Sequence, residues 1–166
     1  DVWVRRGAVE EMVGGGGWGG FAALIGWAAV SGEVSLASVA LFAIGVGWTP
    51  PHFWALSRYR GGDYARVGVP MMPVVAGARE TRKLILLYTV LLIPVTLAPC
   101  WFGVVGMAYA IVALVLGGGF LGLALRLWAA KSDAAAKALF GYSILYLFLL
   151  FVAMLADAAA GMGMAV

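Results

Sequence analysis

The sequence predicts an all-α fold, a polytopic membrane bundle of about five transmembrane helices. Hydrophobic residues fill 64% of the 166 positions and charged residues only 11%. Soluble domains hold about 45–50% apolar and about 25% charged residues, so the composition favours a membrane protein. The apolar residues also fall into five runs, each near the roughly 20 residues that a helix needs to cross a bilayer.

These apolar runs are joined by short turns, except for one long connection. They are predicted at about 13–30, 34–56, 84–101, 104–128 and 138–155. The first run is rich in glycine and contains two pairs in GxxxG spacing, Gly15 with Gly19 and Gly16 with Gly20, which lets helix backbones approach closely. Gly118 and Gly122 in the fourth run are predicted to face another helix for the same reason.

All the basic side chains fall on one side of the membrane in this segmentation. None lies in the turns at Glu33 and Gly103 or in the tail around Asp157. The eleven are Arg5, Arg6, Arg58, Arg60, Arg66, Arg79, Arg82, Lys83, Arg126, Lys131 and Lys137. Because cytoplasmic loops carry the excess of Lys and Arg, the N-terminus and the long connection are predicted to be cytoplasmic and the C-terminus outside.

Pro50 and Pro51 are predicted to kink or end the second span, because proline lacks the backbone donor and clashes with the preceding turn. A connection of about 57–83 follows, which is long for a helical membrane protein and too apolar for disorder. Such loops are usually functional. The chain is therefore interpreted as a single membrane domain over 1–166, with 57–83 as a cytoplasmic active-site loop.

Several function classes have no support. The net charge of +3 is small and scattered, which does not favour a nucleic-acid partner. The single cysteine, Cys100, allows no internal disulfide and no CxxC metal motif. The single histidine, His52, has no GxSxG, HExxH or Walker pattern around it, so nucleophilic catalysis and zinc hydrolysis are not indicated.

One acid among several cations marks the start of the long connection. Asp63 lies between Arg60 and Arg66, with further cations at 79, 82 and 83. Carboxylate oxygens suit Mg²⁺, and guanidinium groups bind phosphate oxygens in bidentate geometry. The pattern fits a Mg²⁺–diphosphate site. It also fits a plain topology signal, with Asp63 and Arg66 as a surface ion pair.

His52 follows the proline pair and is flanked by aromatic residues. It is interpreted either as a heme contact or proton-transfer group, or as an interfacial histidine bonded to a carbonyl freed by the prolines. Trp48, Trp54, Trp101 and Trp128 lie near span ends, where aromatic belts are expected.

Two long motifs resemble a known family. The stretch WTPPHFWAL at 48–56 and the pattern DYARxGxPMxPV at 63–74 are similar to the heme O synthase branch of the UbiA-type prenyltransferases. The similarity extends over about 19–157. It implies that these helices are part of a nine-helix fold, and that the first Asp-rich motif of the family lies outside these residues. The 166 residues alone are therefore expected to be inactive.

The resemblance implies transfer of a farnesyl group from farnesyl diphosphate to a vinyl group of heme B, with Mg²⁺ serving the diphosphate. It implies catalytic roles for Asp63, Arg66 and His52, with Asp63 as the metal ligand. Diphosphate-binding candidates are Arg60, Arg66, Tyr59 and Lys83, and the heme-side candidates are His52 and Trp54. Gly62 stands where the family often has a second acid.

The resemblance further implies a multi-pass protein of the inner membrane, with farnesyl diphosphate, heme B, the lipid bilayer and heme A synthase as partners. Two alternatives stay open. One is UbiA-type prenyl transfer to an aromatic acceptor, such as a quinone or chlorophyll precursor. The other is a non-catalytic membrane half-protein.

Cysteine labelling tests the predicted topology. In a chain whose Cys100 is replaced, single cysteines at Glu33 and at Arg79 are expected to react with an impermeant reagent from opposite sides of the membrane. Labelling of both from the same side would contradict the segmentation.

Overall fold

The computed structural model describes residues 19–60, 62, 66 and 76–161, and these residues form helices and turns without any strand. The helices are α1 Gly19–Ser31, α2 Leu36–Tyr59, α3 Gly77–Trp101, α4 Met107–Ala130 and α5 Asp133–Ala159. The predicted all-α fold class is confirmed. Helices α2 to α5 are long and apolar enough to cross a membrane, whereas α1 is a shorter apolar helix over its described residues.

The four long helices form a closed ring. Helix α3 packs between α2 and α4, and α5 packs between α4 and α2. The connections 102–106 and 131–132 are short, so neighbouring helices run antiparallel. The cations of α2 and α4 lie near their C-terminal ends and those of α3 and α5 near their N-terminal ends. These charges therefore share one end of the ring, here named the cationic end.

The proline pair does not end helix α2. The helix continues through Pro50 and Pro51 to Tyr59, so of the two effects predicted for the prolines, a kink or an end of the span, the end is wrong. Both prolines are buried against neighbouring helices. Packing of this kind lets a membrane helix tolerate the lost backbone hydrogen bonds. Helix α3 likewise continues through Pro94 and Pro99.

The long connection is shorter than the sequence predicts, because helices extend into it from both sides. Helix α2 includes 57–59 and helix α3 begins at Gly77 rather than near residue 84. Asp63 lies outside the described residues, as do the other residues of 61, 63–65 and 67–75.

Several buried polar side chains donate hydrogen bonds to backbone carbonyls. Thr49, Thr81 and Thr89 donate to the carbonyl four residues earlier in their own helices, at 2.7, 2.9 and 2.7 Å. Tyr109 and Tyr142 instead donate across the bundle, each at 2.9 Å. These bonds satisfy polar groups that lipid would leave unpaired.

A buried carboxylate joins α4 to α5 at the end opposite the cations. Asp157 on α5 is only 2% exposed. Its oxygens accept the backbone N–H groups of Gly106 at 2.5 Å and Tyr109 at 3.4 Å. Glycine at the N-cap supplies no capping oxygen of its own, so α5 provides both the acceptor and a negative charge for the α4 dipole.

Glycines permit close helix contacts at other positions than those predicted in α4. A Cβ added at Gly118 or Gly122 would meet none of the described residues within 4 Å, so the prediction that these two face a helix is wrong for the described helices. Gly117 and Gly119 have that role instead, against Ile93 and Tyr142. In α1 the prediction for Gly20 is confirmed, because an added Cβ would lie 2.8 Å from the carbonyl oxygen of Phe42. A Cβ added at Gly19 would meet no described residue within 4 Å, so the close approach predicted there is not found. Gly15 and Gly16 lie outside the described residues.

Substitution of Gly20 by Ala tests the contact of α1 with α2. From Gly45, an added Cβ would also lie only 2.9 Å from the Cα of Gly20, so both backbones occupy the space that a methyl group needs. We expect Gly20→Ala to lower the melting temperature of the detergent-solubilised protein, since overpacking costs about 1–3 kcal/mol. Gly26→Ala on the same helix meets open space and is expected to be neutral or stabilising. Equal effects of the two variants would contradict the contact.

Candidate functional site

Arg58 joins α2 to α5 at the cationic end. Its Nη1 donates to Asp133 at 3.0 Å and its Nη2 donates to the carbonyl of Lys131 at 3.3 Å. The arginine side chain is 19% exposed and the aspartate 68%. A half-solvated pair of this kind contributes about 1 kcal/mol or less, so its role here is to fix the geometry of two helix ends.

The predicted diphosphate residues lie around the end of α2 and the start of α3. Tyr59 is half-buried, and the Arg60 guanidinium lies 5.9 Å from its ring centroid. Arg66 is exposed, and Lys83 is an exposed residue 4.0 Å from Glu80. The structure thus brings Tyr59 and Arg60 into contact, while the position of Asp63 lies outside the described residues.

The described residues do not form a metal site by themselves. Within them, no three His, Cys, Asp or Glu side chains come together. The described acids near the cationic end are Glu80 and Asp133, and each of them already lies beside a cation. The prediction that Asp63 binds Mg²⁺ therefore has no described partner ligand and stays a prediction.

The His52 ring is held between two aromatic rings. It stacks on Trp48 of its own helix with centroids 4.2 Å apart and an interplanar angle of 21°. It also stacks on Phe140 of α5, with ring centroids 4.7 Å apart and an interplanar angle of 27°. Trp48 and His52 are four residues apart, which places them on one face of α2.

Ser143 of α5 bonds to both Trp48 and His52. Its hydroxyl oxygen lies 2.6 Å from His52 Nδ1, and the same hydroxyl donates to the carbonyl of Phe140 at 2.6 Å. Its backbone carbonyl accepts the Trp48 indole N–H at 2.8 Å. The histidine is therefore fixed by stacking on its faces and by a hydrogen bond at Nδ1.

Trp54 lies on a different face of α2. It is 1% exposed and packs edge-on against Tyr88 of α3 with centroids 5.2 Å apart. Two residues along a helix correspond to a rotation of about 200°, so Trp54 and His52 point to nearly opposite sides. The structure does not bring these two heme-side candidates together, and it pairs His52 with Trp48 instead.

Three residues of this cluster were missed in the sequence. Trp48 was detectable from its spacing of four to His52, although it was interpreted as a belt residue. Phe140 and Ser143 had no local signal, because Ser143 is 91 positions from His52. Only the packing of α5 on α2 brings them together.

An apolar groove lies between α1, α2 and α5, away from the cationic end. It measures about 410 Å³, and its lining includes Ala23, Trp27, Leu41 and Phe151. The separation along α2 between Leu41 and Arg60 corresponds to roughly 28 Å. That is nearly the ~30 Å thickness of the hydrocarbon core. A linear substrate whose head group binds at the cationic end would have to extend across most of the membrane before its tail could fill this groove. We therefore assign no substrate to the groove.

Substitutions of two aromatic residues next to His52 test the rotation of α2 about its axis, which places His52 against α5. Trp54→Ala is expected to lower the melting temperature strongly, since truncating a buried Trp costs about 3–5 kcal/mol. Phe53→Ala, at a residue 40% exposed, is expected to have a much smaller effect. A larger effect at Phe53 would mean that α2 is rotated and that His52 faces elsewhere.

Comparisons with known proteins show which proteins this chain is similar to. Proteins named protoheme IX farnesyltransferase are similar along nearly the whole chain. That of Parvibaculum lavamentivorans is 51% identical over 98% of this chain and 52% of its own length. The protein of Azorhizobium caulinodans is 53% identical over 95% of this chain and 52% of its own length. The protein of Roseiflexus castenholzii is 49% identical over 95% of this chain and 30% of its own length.

The chain spans about half the length, 52%, of the first two relatives. No solved structure matches it. The family model described as the UbiA prenyltransferase family matches residues 2–155, which is nearly the whole sequence. The chain therefore belongs to the UbiA prenyltransferase family.

Proposed function

We propose that this chain is part of a heme O synthase-like enzyme, which transfers a farnesyl group from farnesyl diphosphate to a vinyl group of heme B. The observation that carries the proposal is identity of about half the residues, along nearly the whole chain, with proteins named protoheme IX farnesyltransferase. Transfer to an aromatic acceptor is less favoured, because the similarity includes the WTPPHFWAL stretch around His52.

The diphosphate is proposed to bind at the cationic end. Arg60 follows the last residue of α2 and Arg66 lies six residues further on, while Lys83 approaches from the first turns of α3. Tyr59 supports the Arg60 guanidinium through its ring. Guanidinium groups suit phosphate oxygens because their donors form a planar fork, and here they would stabilise the charge that develops on the leaving diphosphate.

Asp63 is the proposed ligand of a Mg²⁺ ion bound to the diphosphate. Such an ion would neutralise part of the diphosphate charge, and it typically needs only one or two protein carboxylates beside the phosphates. Asp63 lies between the two arginines in sequence, which favours a shared site. No acid of the described residues adds to this proposed site.

The heme side is proposed to lie at His52. Eight residues separate His52 from Arg60, which is roughly 12 Å along α2. The two substrates would thus meet along a single helix, with the diphosphate at its end and the porphyrin two turns deeper. At that depth the aromatic side chains of Trp48 and Phe140 exclude water, which would otherwise capture the allylic carbon.

In the proposed reaction the allylic carbon–oxygen bond breaks and diphosphate leaves with the electron pair. The π electrons of the vinyl group form the new carbon–carbon bond. Only after that bond has formed does one water molecule add to the cation left on the porphyrin side chain, and it releases a proton to solvent. We propose that the cationic end is cytoplasmic, which the excess of Lys and Arg there supports, and that the membrane is the inner membrane, which the family resemblance implies. Heme A synthase, which would consume the product, is the proposed partner.

Asp63→Asn tests the diphosphate site in the longest natural form of the chain. The change removes the ligand charge with little change of shape. We expect the variant to keep its fold and lose farnesyl transfer by roughly 10²–10³-fold, the usual cost of removing a preorganised electrostatic group. The measurement is the yield of farnesylated heme in membranes supplied with heme B and farnesyl diphosphate.

Glu80→Gln is the matched control, because Glu80 is an exposed acid of the same cationic end, and among the described residues its ion pair is with Lys83. It is expected to retain near-native transfer. Near-native transfer by Asp63→Asn would make Asp63 a surface ion-pair partner and place the diphosphate site elsewhere. Absence of transfer in the unsubstituted protein would contradict the proposed function itself.

A further inference from the structure

We propose that Ser143 is a positioning residue that holds His52 in the tautomer with hydrogen on Nδ1, so that the Nε2 lone pair is the only acceptor of the ring. The proposal rests on the arrangement of the Phe140 carbonyl, the Ser143 hydroxyl and the His52 imidazole. These three groups form a chain that joins α5 to α2.

The number of available protons determines which atom donates in each of these two hydrogen bonds. The Ser143 oxygen lies 2.6 Å from the Phe140 carbonyl oxygen, and a carbonyl carries no hydrogen. Two oxygens at that distance need a hydrogen between them, so the single hydroxyl proton points at the carbonyl. The 2.6 Å contact between Ser143 and His52 Nδ1 then needs a hydrogen from the imidazole. Nδ1 is therefore the donor, and in a neutral ring Nε2 is bare.

Surrounding contacts leave this geometry little freedom. Ser143 is 0% exposed. Its backbone carbonyl is held by the Trp48 indole at 2.8 Å, and Trp48 also covers one face of the His52 ring. Phe140 supplies both the carbonyl that takes the hydroxyl proton and a ring that stacks on His52. A rotation of the imidazole would break stacking and hydrogen bonding together.

The Nε2 atom remains available to a ligand. Among the described residues it has no hydrogen-bond partner, and it is not one of their buried unpaired polar atoms. A bare imidazole nitrogen binds electron-pair acceptors, and transition-metal ions above all. A hydrogen bond donated by the other ring nitrogen raises its basicity. Identifying the acceptor as the iron of heme B rests on the proposed function, whereas the tautomer does not.

Because His52 is the only histidine in the chain, ¹⁵N labelling of histidine gives the spectrum of this one ring. In detergent micelles the two ring nitrogens are expected to show a protonated Nδ1 and an unprotonated Nε2. A protonated Nε2 in the unsubstituted chain, whether in the other neutral tautomer or in the imidazolium, would overturn the proposal.

Ser143→Ala removes the acceptor of the Nδ1 hydrogen and is expected to shift His52 toward the Nε2-protonated tautomer. Ser57→Ala is the matched control. Ser57 is also 0% exposed and donates to the carbonyl three residues earlier, but its partner is Trp54 and it has no contact to histidine. The control is expected to leave the His52 spectrum unchanged. An unchanged spectrum in Ser143→Ala would also overturn the proposal.

Titration with hemin tests the ligand assignment separately. His52→Phe keeps a stacking ring and removes both nitrogens, so it is expected to lose the axial-imidazole absorption signature. Ser143→Ala is expected to weaken hemin binding about 10–100-fold, as other losses of a supporting hydrogen bond do. Equal hemin affinity and spectra in all three proteins would overturn iron as the ligand of Nε2. Such a result would leave the farnesyl-transfer assay as an independent test of the proposed function.

Discussion

The structure depends on a constraint that the bilayer imposes, which is that a polar group without a partner inside the bundle costs free energy. Among the described residues, the Trp54 indole N–H and the Tyr146 hydroxyl have no partner, whereas other buried polar groups satisfy the constraint. Threonines meet it within their own helices, at no cost to helix packing. Other side chains satisfy this constraint through hydrogen bonds between helices, namely those of Trp48, His52, Tyr109, Tyr142 and Asp157. Each of these interhelical bonds fixes the rotation and depth of two helices relative to each other. Packing by apolar contacts alone would leave those quantities less well defined, because lipid chains compete for the same surfaces.

The helices and the clustering of their cations at one end were predictable because those properties depend on composition and charge. The side of the membrane on which that end lies stays a prediction. The spacing of apolar runs and the segregation of cations survive in the structure with shifted boundaries. Pro50 and Pro51 were misjudged for a physical reason. The cost of a proline depends on what covers the carbonyls that it frees, and here both prolines are buried among helices. The local sequence does not show which neighbouring helices will cover those carbonyls.

The site divides in the same way. His52 was recognisable as an unusual residue beside the WTPP stretch. Its partner Ser143 lies 91 positions away, in the family-like stretch 142–147, which does not indicate a contact with His52. The α4 glycines show a related limit. Successive residues of a helix differ by about 100°, so a cluster of glycines indicates a close contact without showing which member makes it. Gly117 and Gly119 approach neighbours, and Gly118 between them does not.

Ring closure by α5 has a consequence for how the molecule comes into being. Neighbouring hairpins such as α3–α4 and α4–α5 need only local contacts, which form early as a chain is made. The stack on His52 needs α5, the last of the described helices, to return to α2 across the width of the ring. During synthesis the histidine face of α2 is therefore in the membrane without its α5 partners until α5 is inserted. The cluster is complete only once α5 has packed on α2, so the order of insertion delays any binding at His52 until the described helices around it are in place.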